Sequence, residues 1–113
     1  MGSKQPKVFI QHILDSINLI EKYLKGKNKE AFLASDQLQD AVIRRLEIIG
    51  EAVKNLPEEI IKKHPELPWK QIVGMRDILI HQYFGVDLEL TWEVIKTELP
   101  ILKSKLVMLL KSL

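Results

Sequence analysis

The chain has 113 residues, 46% of them hydrophobic and 28% charged, with a net charge of +2. That suits one domain with a real hydrophobic core and excludes a disordered chain. The balance of acidic and basic residues does not by itself point to nucleic-acid binding, though it leaves room for a local basic pocket, and the lack of cysteine excludes disulfides and thiolate zinc sites and fits a reducing cytoplasm.

No apolar run approaches the roughly 20 residues of a membrane span, and no leader-type pattern precedes the first apolar segment. Residues 1–113 read as a single domain, with residues 1–5 a flexible N-terminal tail. No internal repeat or low-complexity stretch interrupts it. Gly26, Pro57, Pro65, Pro68, Gly85 and Pro100 are the punctuation, and helical periodicity fills the intervals.

The first helix is predicted from about Pro6 to Lys25. Ile10, Ile13, Ile17, Ile20 and Leu24 recur at three and four, the spacing of one helix face. Gly26 suits the position after its end, where a positive φ is needed. "EAFLA" is expected as a short turn. Ser35 or Asp36 can cap a second helix running to about Leu56. Leu38, Val42, Leu46, Ile49, Val53 and Leu56 form its stripe, and Ala41, Ile48 and Ala52 widen it.

"PEEIIKKH" reads as one or two further turns bounded by Pro57 and Pro65. Pro68 opens a third helix, broken near Gly85 and Asp87. The last helix spans about Leu88 to Leu113. Its stripe is Leu88, Trp92, Ile95, Leu99, Leu102, Leu106, Leu109 and Leu113, and Pro100 within it should produce a kink. Nothing reads as a strand. The expected fold is all-α: an up-and-down bundle of four main helices plus a short extra helix. Val94, Ile101, Val107 and Met108 lie off the main stripe of the last helix, which predicts a helix-mediated homodimer.

Chemistry concentrates in residues 76–83, "RDILIHQY". An arginine fits phosphate oxygens in a fork and keeps its proton. A histidine exchanges a proton near neutrality. Together they suffice for metal-independent RNA cleavage: a base deprotonates the ribose 2′-OH, that oxygen attacks the adjacent phosphate, and a fixed cation stabilises the growing charge. At about 100° per residue, Arg76 and His81 point roughly 140° apart, while Arg76 and Tyr83 share a face and Asp77 neighbours His81. Arg76 and His81 can meet one substrate only if the helix loosens near His81 or a second subunit completes the site. The spacing alone is also met by ordinary packed helices.

The octapeptide resembles the RxxxxHxY motif of the HEPN superfamily, in particular the HepT-like ribonuclease toxins of the HepT/MntA (type VII) toxin–antitoxin systems. "AVIRRLEIIGEAVKNLP" (41–57), "LPWKQIVGMRDILIHQYFGVD" (67–87) and "TWEVIKTELPILKSKL" (91–106) are similar to that family's helices in the same order. The resemblance implies a toxin that is a metal-independent, homodimeric endoribonuclease, with two motifs lining one cleft and no cofactor. It implies that Arg76 polarises the scissile phosphate, that His81 is the general base or acid, and that Asp77 orients one of them. It further implies an MntA-like nucleotidyltransferase antitoxin that transfers AMP from ATP to Tyr83.

Supporting residues are sought in the second helix. Glu51, after Gly50, could be a buried partner of Arg76. Arg44 and Arg45 could add positive potential for RNA or a partner, or form a solvated face. His12 and His64 read as bystanders. Trp69 and Trp92 suit core or interface positions better than base stacking. A non-catalytic helical dimer that binds a nucleotide or docks a nucleotidyltransferase would use the same residues, and a plain dimerisation protein would use them structurally.

Overall fold

The computed structural model describes residues 5–74 and 87–113. Among these the fold is all-helical. Helix α1 spans Pro6–Leu24, α2 Lys29–Leu33, α3 Asp36–Lys54 and α4 Glu58–Lys63. Residues 69–74 form the described part of α5, and the last helix, α6, spans Leu88–Ser112. Helix α1 packs most extensively on α3, and α6 lies against α1 and α2. No described helix is long and apolar enough to cross a membrane.

Most of the predicted stripe residues are the core, while Leu38 and Leu88 are only partly buried against it and Leu113 is 39% exposed at the chain end. Ile10, Ile13, Ile17, Ile20 and Leu24 are all buried on α1, as are Val42, Leu46, Ile49 and Val53 on α3. Helix α6 contributes Trp92, Ile95, Leu99, Leu102, Leu106 and Leu109. Removing these side chains from water supplies roughly 1.5–3 kcal/mol apiece, which is what drives the amphipathic segments together.

Helix ends follow the local chemistry. Gly26 has φ +74, which lets the chain reverse after α1 without the steric penalty of a Cβ. Ser35 caps α3: its Oγ accepts from the Leu38 N–H at 3.1 Å. Asp87 caps α6 in the same way, its carboxylate accepting from the Leu90 N–H at 3.0 Å. Thr91, buried, donates its hydroxyl to the Asp87 carbonyl at 2.9 Å, so its polar atom is satisfied.

Residues 30–34, expected as a turn, fall largely within a helix of five residues. The Asn28 side chain accepts from the Ala31 N–H at 2.8 Å and starts it. The Gln39 amide donates to the carbonyls of Phe32 and Leu33 at 3.0 and 3.1 Å and closes it. Phe32 is fully buried, its ring 5.6 Å from that of Trp92. The bundle thus has two short helices, α2 and α4, where one was expected. Pro100 sits on the exposed side of α6, and the helix runs on from Leu88 to Ser112 around it.

Candidate active site

Helix α3 presents Arg44, Glu47, Ile48, Glu51 and Asn55 along one face, because spacings of three, four and seven return to the same side of a helix. Helix α1 brings Phe9 and His12 opposite. Together with Ala52 they line a groove of about 360 Å³. His12 is exposed, and its ring meets Phe9 edge-on with centroids 6.5 Å apart. The Asn55 amide turns back to donate to the Glu51 carbonyl at 2.9 Å, so it closes the helix end.

Arg44 is exposed at this groove, whereas Arg45, the next residue, is half-buried and does not line it. Glu51 is exposed at the groove rather than buried. The groove therefore pairs one fixed cation and one imidazole with two carboxylates. It can hold an anionic group at Arg44 and exchange a proton at His12. From the sequence His12 reads as a bystander; the packing of α1 on α3 brings it to the groove that Glu51 also lines. No group of three His, Asp or Glu among the described residues could hold a metal ion.

Arg76, Asp77, His81 and Tyr83 lie outside the described residues, as does any pairing of Arg76 with Glu51. The frame on either side of them is described. Trp69 is buried and donates its indole N–H to the His64 carbonyl at 2.8 Å. Ile72 is buried one turn later. On the far side, Trp92 is locked between Phe32 and the Lys96 ammonium, which lies 4.7 Å from the ring centroid. Both tryptophans are framework residues, as their contexts suggested. His64 is half-buried and 3.4 Å from the Glu66 carboxylate.

These features define an all-helical bundle in which Trp69, at the start of α5, ties down the loop before it through the His64 carbonyl. The chain belongs to the HepT-like family: the family model described as ribonuclease HepT-like matches residues 13–109. It is 54% identical over 97% of its length to a Methanocaldococcus jannaschii protein named "Gamma-glutamylcyclotransferase and putative RNase", of which it spans half. It is 45% identical to a "Putative RNase" of Caldanaerobacter subterraneus subsp. tengcongensis, over 96% of this chain and 97% of that one. It is 46% identical to a "Probable ribonuclease HepT" of Thermococcus cleftensis, over 88% of this chain and 90% of that one. No solved structure matches.

Proposed function

We propose that this protein is a metal-independent endoribonuclease acting as the toxin of a cytoplasmic toxin–antitoxin pair. The observation that carries the reading is the position of "RDILIHQY" (76–83) inside the residues 13–109 matched by the ribonuclease HepT-like family. The names of the relatives agree with it.

In this reading His81 takes the proton of a ribose 2′-OH. The freed oxygen bonds to the adjacent phosphorus, and the bond from phosphorus to the 5′-oxygen breaks. The departing oxygen collects a proton, leaving a 2′,3′-cyclic phosphate and a 5′-hydroxyl. Arg76 neutralises the phosphate oxygens as charge builds, and Asp77 orients one of the pair. No step calls for a metal, since a proton acceptor and a fixed cation suffice. Because Arg76 and His81 diverge around a regular helix, two copies lining one cleft supply the set. Arg44, Arg45 and Glu51 would shape the potential around it.

Control acts on the tyrosine. An MntA-like nucleotidyltransferase partner directs the Tyr83 oxygen onto the α-phosphorus of ATP. The bond to the β-phosphate oxygen breaks, pyrophosphate leaves, and the phenolic proton is lost. The added AMP places bulk and negative charge on the face shared with Arg76, where RNA phosphate must sit.

The test expresses the wild type, Arg76→Ala and His81→Ala without the partner, then follows growth and RNA integrity. The wild type should cleave RNA in the presence of a chelator and leave cyclic-phosphate ends. His81→Ala should lose roughly 10²–10⁴-fold in rate, with circular dichroism unchanged. Intact RNA with wild-type protein across several substrates would leave a non-catalytic helical module instead. Mass spectrometry after co-expression with the nucleotidyltransferase should find AMP on Tyr83; AMP elsewhere, or none, would refute the control mechanism.

A further inference from the structure

The groove between α1 and α3 carries the parts of a base-recognition site. On its α3 side Arg44 is exposed and Glu47 is half-buried. Three residues apart, they are neighbours on one helix face. Neither forms an ion pair, with the other or with any further group, among the described residues. A guanidinium only donates and a carboxylate only accepts, so the two offer a ligand a donor beside an acceptor. Glu51, one turn beyond Glu47, has an interaction of its own.

On the α1 side stand Phe9, half-buried, and His12, exposed. Their rings meet at 81° with centroids 6.5 Å apart. Two rings at a near right angle set the face of one beside the edge of the other, a corner against which a flat heterocycle stacks. The groove holds about 360 Å³, at the small end of the roughly 300–1,000 Å³ of ligand pockets. That is room for one nucleotide unit, not for a length of strand.

The polar pair says which base. The pairing edge of guanine reads acceptor, donor, donor: O6, N1–H and the 2-amino group. A carboxylate accepts from both neighbouring donors at once, and an arginine beside it donates to O6 and N7. No other RNA base has two adjacent donors on that edge. Adenine and cytosine set one donor next to a ring acceptor, which a carboxylate repels, and uracil has one donor between two acceptors. We infer that this groove holds one guanine of an RNA strand. Glu47 takes N1–H and the 2-amino group, Arg44 gives to O6 and N7, and the base lies against the Phe9–His12 corner. The inference rests on the ribonuclease reading for its RNA: a guanine seated here selects the stretch of strand on which the enzyme works.

The test titrates the wild-type protein with 5′-GMP, IMP and AMP and follows the backbone amides by NMR. GMP should shift the amides of Phe9, His12, Arg44 and Glu47 together. IMP, which lacks only the 2-amino group, and AMP should each bind about tenfold more weakly or worse, the cost of breaking one bidentate contact. Equal binding of GMP and IMP, or no shift at the groove, would overturn the assignment. Glu47→Gln keeps the side-chain shape but sets a donor beside the acceptor, the pattern that suits adenine. It should reverse the order, AMP above GMP, which loss of fold cannot imitate; an unreversed order would overturn the role of Glu47. A 2′-O-methylated UUGUU strand, with no 2′-OH to react, should bind roughly tenfold more tightly than GMP through its added phosphates. GMP binding as tightly as the strand would overturn RNA as the source and leave a free nucleotide. Cleavage is scored apart from binding. Guanine-selective binding with RNA left intact would sustain this site and sink the ribonuclease reading; cleavage without any GMP binding would do the reverse.

Discussion

Replacing Phe32 with alanine should unfasten the short helix α2 from the bundle. A five-residue helix has no stability of its own, because nucleation costs more than so few hydrogen bonds return. Phe32 is the fully buried side chain of α2, and its ring lies against Trp92. Truncating a buried phenylalanine costs about 3–5 kcal/mol, and the aromatic pair adds roughly 0.5–1.5 kcal/mol beyond area. A loss of about 4 kcal/mol is a large share of the roughly 5–15 kcal/mol available to a domain. It should lower the Tm by about 15 °C. Urea unfolding followed by far-UV circular dichroism and by tryptophan emission gives the value directly. Phe32→Leu, which keeps most of the volume, should cost under about 1.5 kcal/mol. A loss for Phe32→Ala below about 1.5 kcal/mol would refute the placement of α2 as part of the core.

Gly26→Ala should cost about 1–2 kcal/mol in chemical denaturation, wholly through backbone strain, since φ is +74 and nothing lies within 4 Å of the added Cβ; an unchanged midpoint would mean the turn is made differently. Ser35→Ala removes the cap on α3 and should cost about 1 kcal/mol, with Ser35→Asp recovering most of it in the same assay. A hydrogen bond from its own backbone N–H, helped by His64 and Lys105, holds the Glu66 carboxyl below the ordinary glutamate range. Its contribution to stability is therefore complete above the ordinary glutamate pKa and lost as pH falls through the lowered one. An NMR titration should place the Glu66 midpoint below the ordinary glutamate value; a midpoint at or above that value would refute the assignment.

The long helices were legible because each buries a continuous stripe, and burial of that stripe is what forms the helix. Every α1 stripe residue named from spacing is in the core. Helix α2 was not legible, because it buries one aromatic residue and is held by Asn28 and by Gln39 from the next helix. The groove was half legible. Arg44 and Glu51 lie seven apart on α3, but no local pattern ties His12 to either, and the exposure of Glu51 is set by packing between helices that the spacing does not encode. Residues 76–83 gained their chemistry from resemblance, because five-residue spacing of Arg and His carries no geometric signature of a shared site.

The two tryptophans have a practical use. Trp69 and Trp92 are both held in the core, a few residues before and after the stretch that holds Arg76, His81 and Tyr83. The protein therefore carries two intrinsic fluorophores held on either side, along the chain, of the segment proposed to carry the chemistry. Steady emission from both on adding RNA, nucleotide or a partner would mean the frame is indifferent to what binds; a shift in either would show strain passing from the segment into the bundle.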